Sequence, residues 1–155
     1  HQLLEGLAKL KRKDLHLSVI GKDSHQELYE AKAVRLGLAK QVHFFGPQKE
    51  IRPFYQLADA LAIPSFYDPF ANVTVEALAM GLFILSSKYN GGSEVLHCNT
   101  GTCVEELQSV ESMAQALEKT LSHPKTKNSA LERRLSIEHL DYGRQMNALV
   151  EACFA

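Results

Sequence analysis

Residues 60–87 read ALAIPSFYDPFANVTVEALAMGLFILSS. ALAI (60–63) is a short unbroken apolar run stopped by Pro64, the pattern of a strand buried on both faces rather than one. Asn72 is a good N-cap residue, VTVEALAM reads as a helix, and Gly81 ends it. FILSS (83–87) is a second strand. Strand, helix and strand in that order need a crossover connection, which implies a parallel sheet covered by helices.

The alternation continues in both directions. Upstream, Leu3, Leu4, Leu7 and Leu10 lie at helical spacing, and LHLSVI (15–20) is an apolar strand closed by Gly21. Ser24 with Glu27 forms a capping-box pattern, and Gly37 suits the far end of that helix. VHFF (42–45) reads as a strand closed by Gly46-Pro47, and a short helix carries Ile51, Phe54, Tyr55, Leu57 and Ala58. Downstream come the loop KYNGG (88–92), a strand TCV (102–104) and helices from Val110 onward. HPKTKNS (123–129) is the best candidate for a mobile stretch. The prediction is a doubly wound, Rossmann-like α/β domain with a parallel sheet and helices on both faces. Such a sheet normally opens with a strand, but this chain opens inside a helix, so residues 1–155 are expected to be one domain of a longer protein.

Composition narrows the function. At 45% hydrophobic and 23% charged residues the chain is globular rather than disordered. Its 17 basic and 18 acidic residues leave a formal charge of -1, with no footprint for gripping nucleic acid. No apolar run approaches the roughly 18 residues that cross a bilayer. An odd set of cysteines, Cys98, Cys103 and Cys153, suits a reduced, cytoplasmic protein. His97, Cys98 and Cys103 fit no common zinc frame. No G-x-G-x-x-G follows a strand, which disfavours a dinucleotide dehydrogenase.

In open α/β sheets ligands bind beyond the carboxyl ends of the strands. The richest segment there is SFYDPFANVTVEALAMG (65–81). A helix starting at Asn72 offers unpaired N–H groups and partial positive charge, which suit a phosphate. Glu76, one turn in, would repel that phosphate and is better used on the vicinal hydroxyls of a ribose. Asp68, on the other side, would accept hydroxyls of a second sugar. A diphosphate between two hydroxyl-binding carboxylates describes a nucleotide-sugar. Taken alone, the pair reads more simply as a turn aspartate and a surface glutamate, with Phe66, Tyr67 and Phe70 as packing residues.

The surrounding residues add to that reading. Asp68 and Glu76, with seven residues between, resemble the E-x7-E signature of retaining GT-B glycosyltransferases of the family 4 (group 1) type. YQLADALAIPSFYDPFANVTVEALAMGLFILSSKYNGGSEVL (55–96) is similar to the central run of that family, and VIGKD, VHFFG and TGTCVE resemble its flanking strands and turns. DPFANVTVEALAMG followed by NGGSEVL resembles most the lipopolysaccharide-core branch, where UDP-hexose donors are usual.

The resemblance implies the C-terminal, donor-binding lobe of a GT-B fold, with acceptor binding in a separate N-terminal lobe. By motif, Asp68 would hold donor-sugar hydroxyls and Glu76 the ribose. Backbone N–H groups of Phe70, Ala71, Asn72 and Val73 would meet the sugar and phosphates. Phe45, Gly46 and Pro47 would lie near the base, Gly21 would let backbone approach the diphosphate, and Lys22 is the nearby cation. It also implies no metal, and a glycan or lipid-linked saccharide acceptor. The expected location is cytoplasmic, with peripheral association of the full-length protein at the inner membrane face left open. Two departures stand out: Asp68 is one methylene shorter than the signature's Glu, and Ala71 stands where the family usually has Gly. The family's Arg and Lys that neutralise the diphosphate belong to the strand and turn ahead of residue 1. The alternatives are a UDP-sugar 2-epimerase-like domain, and a non-catalytic domain that keeps the fold for protein contacts.

Overall fold

The computed structural model describes residues 1–154. Helix α1 (Gln2–Leu10) leads to strand β1 (Leu17–Ile20), helix α2 (Gln26–Arg35) and strand β2 (Val42–Gly46). Helix α3 (Arg52–Leu57), strand β3 (Ala60–Ile63), helix α4 (Asn72–Ala79) and strand β4 (Phe83–Ser87) follow. A 3-10 turn at Gly91–Val95 precedes strand β5 (Gly101–Val104). Helices α5 (Val110–Leu121), α6 (Lys127–Ser136) and α7 (Tyr142–Phe154) close the chain. Among the described residues no helix is long and apolar enough to cross a membrane.

Every strand pairing is parallel, as the alternation of elements requires. The expected single sheet is instead two: β1 pairs with β2, and β3, β4 and β5 pair in that order. Leu17 sits opposite Val42 in the first sheet, while Ala60 faces Phe83 and Ile84 faces Gly101 in the second. In a doubly wound order the strand that opens the fold lies between these two groups. Here β1 and β3 share no hydrogen-bonding partner.

Burial follows strand polarity. All five residues of β4 are buried, and successive side chains enter opposite layers. Ile84 packs with Ala77 and Leu78 of α4 and with Tyr55 of α3. Leu85 packs with Met113, Ala116 and Leu117 of α5 and with Val104 of β5. Each such aliphatic side chain, fully removed from water, contributes about 1.5–3 kcal/mol. Helix α1 serves two layers: Leu3, Leu7 and Leu10 join the α5 side, while Leu4, Leu7 and Ala8 pack with Ala33, Leu38 and Val42. A half-buried pair between Lys32 Nζ and Glu5 Oε1, at 2.6 Å, ties α1 to α2.

Local capping departs from expectation in two places. Ser24 and Glu27 do not form a capping box; the N-cap of α2 is His25, whose N–H donates to Asp23 Oδ1 at 2.7 Å. An aspartate two residues ahead competes successfully for that amide. The stretch 123–129 is well tied down rather than loose. Thr126 and Ser129 form a reciprocal capping box at the start of α6. Lys125 Nζ donates to the carbonyls of Tyr55 at 2.8 Å, Gln56 at 3.2 Å and Ala58 at 3.3 Å, closing the end of α3.

The largest fully buried side chain is charged. Arg133 of α6 is 1% exposed and lies over the ring of Phe83, 5.3 Å from its centroid. Its guanidinium donates to the carbonyls of Gly81 at 3.1 Å, His123 at 2.9 Å and Asn99 at 3.3 Å. Three separate chain segments thus satisfy one planar fork. Arg133→Met fills most of the volume but leaves these carbonyls without a donor, each worth about 1–3 kcal/mol when buried. A loss of about 3 kcal/mol or more is expected, read as a lower urea midpoint, with Arg133→Lys intermediate because an ammonium cannot reach all three.

Candidate functional site

The loop after β3 and the loop after β4 run side by side at the carboxyl edge of the second sheet. Asp68 and Asn90 form an isolated parallel bridge, with Asp68 N–H donating to Tyr89 O at 3.3 Å and Gly91 N–H to Asp68 O at 2.9 Å. Ser87 donates from its hydroxyl to Ser65 O and accepts from Tyr89 N–H. Helix α4 begins next to this clasp. Asp68 and Asn72 therefore share that edge, and Glu76 stands one turn further along, about 6 Å by helical rise.

Asn72 is not the N-cap. That position is held by Ala71, whose backbone is extended, and Asn72 is the first helical residue with its side chain exposed. The cap is moved because the chain is held from outside: Ala71 N–H donates to the buried Asn90 Oδ1, a long bond of 3.4 Å, and Ala71 O accepts from Thr74 N–H at 2.8 Å. Ala71 has no side-chain acceptor to offer, so the helix start is capped only through Ala71 O, and the amides of Asn72 and Val73 stay open.

The four backbone amides nominated for a phosphate divide into two pairs. Phe70 N–H donates to Asp68 Oδ1 at 3.1 Å, and Ala71 N–H is committed to Asn90. Asn72 and Val73 occupy the first two helical positions, where an N–H has no acceptor within the helix, and both residues are exposed. The shorter side chain of Asp68 has a local use here: it closes a turn on the amide two residues on, a bond natural to aspartate. One carboxylate oxygen is spent in that turn.

Glu76 is exposed, and its Oε2 accepts from the hydroxyl of Tyr55 at 3.3 Å. Tyr55 reaches it from α3 while its ring lies in the core at 6% exposure. Burial, then the adjacent carboxylate, push the phenol up to about 12, so it remains a donor to Glu76 across the physiological range. The sequence does not single out this partner, because nothing in the spacing of Tyr55 links it to Glu76. Asn90 carried a signal: an asparagine before Gly-Gly is a capping pattern, and Asn90 does accept from Gly92 N–H at 2.9 Å to start the 3-10 turn.

The residues nominated on the first sheet lie at its own carboxyl edge. Gly21 has φ +138, which only glycine adopts with ease, and a Cβ there would meet nothing within 4 Å. A cleft of about 200 Å³ opens beside it, lined by Gly21, Lys22, Asp23, Gln26, Tyr29 and Phe44. Phe45 is 46% exposed and packs edge-on against Phe54 at 5.1 Å, with Gly46 and the exposed Pro47 following. Neither this cleft nor the smaller one beside Pro64 and Phe66 is lined by Asp68, Asn72 or Glu76.

The clasp leaves no room at Gly91, where a Cβ would fall 1.9 Å from Pro69 O. Gly91→Ala must therefore push the two loops apart. A loss of about 1–3 kcal/mol is expected, with amide shifts concentrated at residues 68–72 in a heteronuclear NMR spectrum.

Comparison with known proteins identifies the family and the fold. LpsE, a lipopolysaccharide core biosynthesis glycosyltransferase of Rhizobium meliloti, is 25% identical over 133 residues, covering 86% of this chain and 38% of its own length. WaaG, a lipopolysaccharide glucosyltransferase of Escherichia coli, is 31% identical over 123 residues, covering 77% of this chain and 33% of its own. The structure of Anabaena HepE in complex with UDP superposes with a TM-score of 0.76 at 23% identity, over 99% of this chain and 44% of that one, a likeness of fold. The chain spans 38% of LpsE and 33% of WaaG, and so only part of the curated relatives it matches. The model of the family described as glycosyl transferases group 1 matches residues 1–134, and the chain belongs to that family.

Proposed function

We propose that residues 1–155 bind the nucleotide-sugar donor, a UDP-hexose, of a retaining, metal-independent glycosyltransferase that acts on a glycan or lipopolysaccharide-core acceptor. The observation that carries this reading is the start of α4: two unpaired amides at Asn72 and Val73, with the Glu76 carboxylate one turn behind them. In this reading the amides and the helix dipole meet the donor phosphate, and Glu76, oriented by Tyr55, accepts two ribose hydroxyls. Asp68 offers the oxygen not used in its own turn to the transferred sugar. Gly21 brings backbone to the second phosphate, Lys22 adds charge beside it, and Phe45 to Pro47 border the base. UDP as the nucleotide is supported by the fold shared with the UDP-bound HepE. The hexose and the lipopolysaccharide-core acceptor are supported by the likeness to WaaG and LpsE.

Mechanistically, the lobe would work by electrostatics and placement. The bond from the anomeric carbon to the diphosphate breaks more readily when the departing negative charge meets fixed N–H dipoles. Holding ribose and hexose at two carboxylates fixes the anomeric carbon against an acceptor hydroxyl. Neither task asks Asp68 or Glu76 to move a proton. The acceptor would come from a separate lobe, with the full-length protein working at the cytoplasmic side of a membrane.

Two measurements test this reading. Residues 1–155 are expected to show no sugar transfer from UDP-hexose to a glycan, checked by chromatographic assay; transfer by this chain would overturn the division of labour between lobes. UDP is expected to bind no better than about millimolar, because the exposed site screens each charge–phosphate contact. Glu76→Gln loses charge-assisted bonds worth about 1.5–3 kcal/mol each in a protected site and less in this exposed one, so UDP binding should weaken severalfold. Asp68→Asn should weaken UDP-glucose and spare UDP. Equal losses for UDP in both variants, by NMR titration, would show that the two carboxylates do not have these separate roles.

A further inference from the structure

We propose that Asn90 is a positioning residue: its side chain sets the course of Phe70 to Asn72, and with it the direction of the open amides of Asn72 and Val73. The lock itself rests on geometry, and its meaning for ligand binding rests on the donor-binding reading above.

Asn90 is fully buried, unusual for an amide side chain on a loop. Its Oδ1 accepts twice, from Gly92 N–H at 2.9 Å within its own turn and from Ala71 N–H at 3.4 Å across to the other loop. Two donors facing one atom settle the orientation of the amide, since the NH2 group cannot accept. Nδ2 is then turned away, and it is buried with no partner. The hydroxyl of Thr74, on the first turn of α4, is likewise buried and unpartnered. The two residues flank the same glycine: a Cβ on Gly92 would fall 2.6 Å from Thr74 Oγ1 and 3.1 Å from Asn90 Oδ1. Asn90 is thus the residue that joins the α4 entry loop to the β4 loop.

The two acceptor bonds can be separated. Serine at position 90 is an efficient cap for the Gly92 amide, but its hydroxyl is one atom too short to reach Ala71 as well. Asn90→Ser therefore keeps the turn and releases the loop, whereas Asn90→Ala loses both. A role confined to capping the 3-10 turn predicts that Asn90→Ser behaves as the parent chain. A positioning role predicts that it does not.

The experiment is amide hydrogen exchange and UDP titration by NMR on the 155-residue chain. In the parent chain Ala71 N–H should be protected and Asn72 and Val73 N–H should exchange freely. This result requires no variant, and an unprotected Ala71 would overturn the lock. In Asn90→Ser, Ala71 exchange should rise about tenfold while the melting midpoint stays close to the parent, and UDP affinity should fall about fivefold. Unchanged Ala71 exchange in Asn90→Ser, or faster exchange with unchanged UDP affinity, would overturn the proposal. Failure of the parent chain to shift any resonance with UDP would instead sink the donor-binding reading, and Ala71 exchange would still decide the lock.

Discussion

The structure depends on one strand being buried on every side. β4 is flanked by β3 and β5 at its two edges and by α4 and α5 on its two faces. A backbone so enclosed must find all its hydrogen-bonding partners in neighbouring strands, and its side chains must be apolar or satisfied locally. The requirement places α4 directly behind β4, with Ala77 and Leu78 pressed against Ile84. The beginning of that helix then has to lie at the carboxyl edge of the sheet. The open amides of Asn72 and Val73 are where they are because the other end of the helix is anchored in the core.

Arg133 answers a related demand at the opposite edge. The carbonyls of Gly81, Asn99 and His123 belong to the segment entering β4, the loop entering β5 and the turn after α5. None of these segments is in a ladder there, and the Gly81 carbonyl is buried while those of Asn99 and His123 are in part-buried bonds. A single guanidinium serves all three, and Phe83 and His123, stacked with ring centroids 4.5 Å apart, complete the packing around it.

Most of the fold was legible from residue pattern alone. Unbroken apolar runs gave the strands, and helical spacing between them gave parallel order. What pattern could not supply was pairing across a gap: nothing in LHLSVI or ALAI says that β1 and β3 do not meet. At the site, local rules read Asn72 as a cap because they weigh only the neighbours of Asn72. The bond that displaced it comes from Asn90, 18 residues away, and sequence spacing does not report such a contact. Tyr55 escaped notice for the same reason, since its hydroxyl reaches Glu76 from a different helix. Gly21 and Asp68 were recognisable because glycine after a strand and aspartate in a turn act through their own backbone. The legible residues were those whose work is local.

Helix α1 has a consequence for how the molecule comes apart. A two-stranded sheet is marginal by itself, and β1 with β2 is such a sheet. Its apolar side is closed by Leu4, Leu7 and Ala8, and Leu7 simultaneously belongs to the layer around Leu85 and Met113. The docking of this nine-residue helix thus couples the first third of the chain to the remainder, beside the Phe45–Phe54 contact. Lifting α1 would expose both layers at once yet leave β3, β4 and β5 paired. The protection of β2 amides against exchange would therefore measure how firmly α1 is seated.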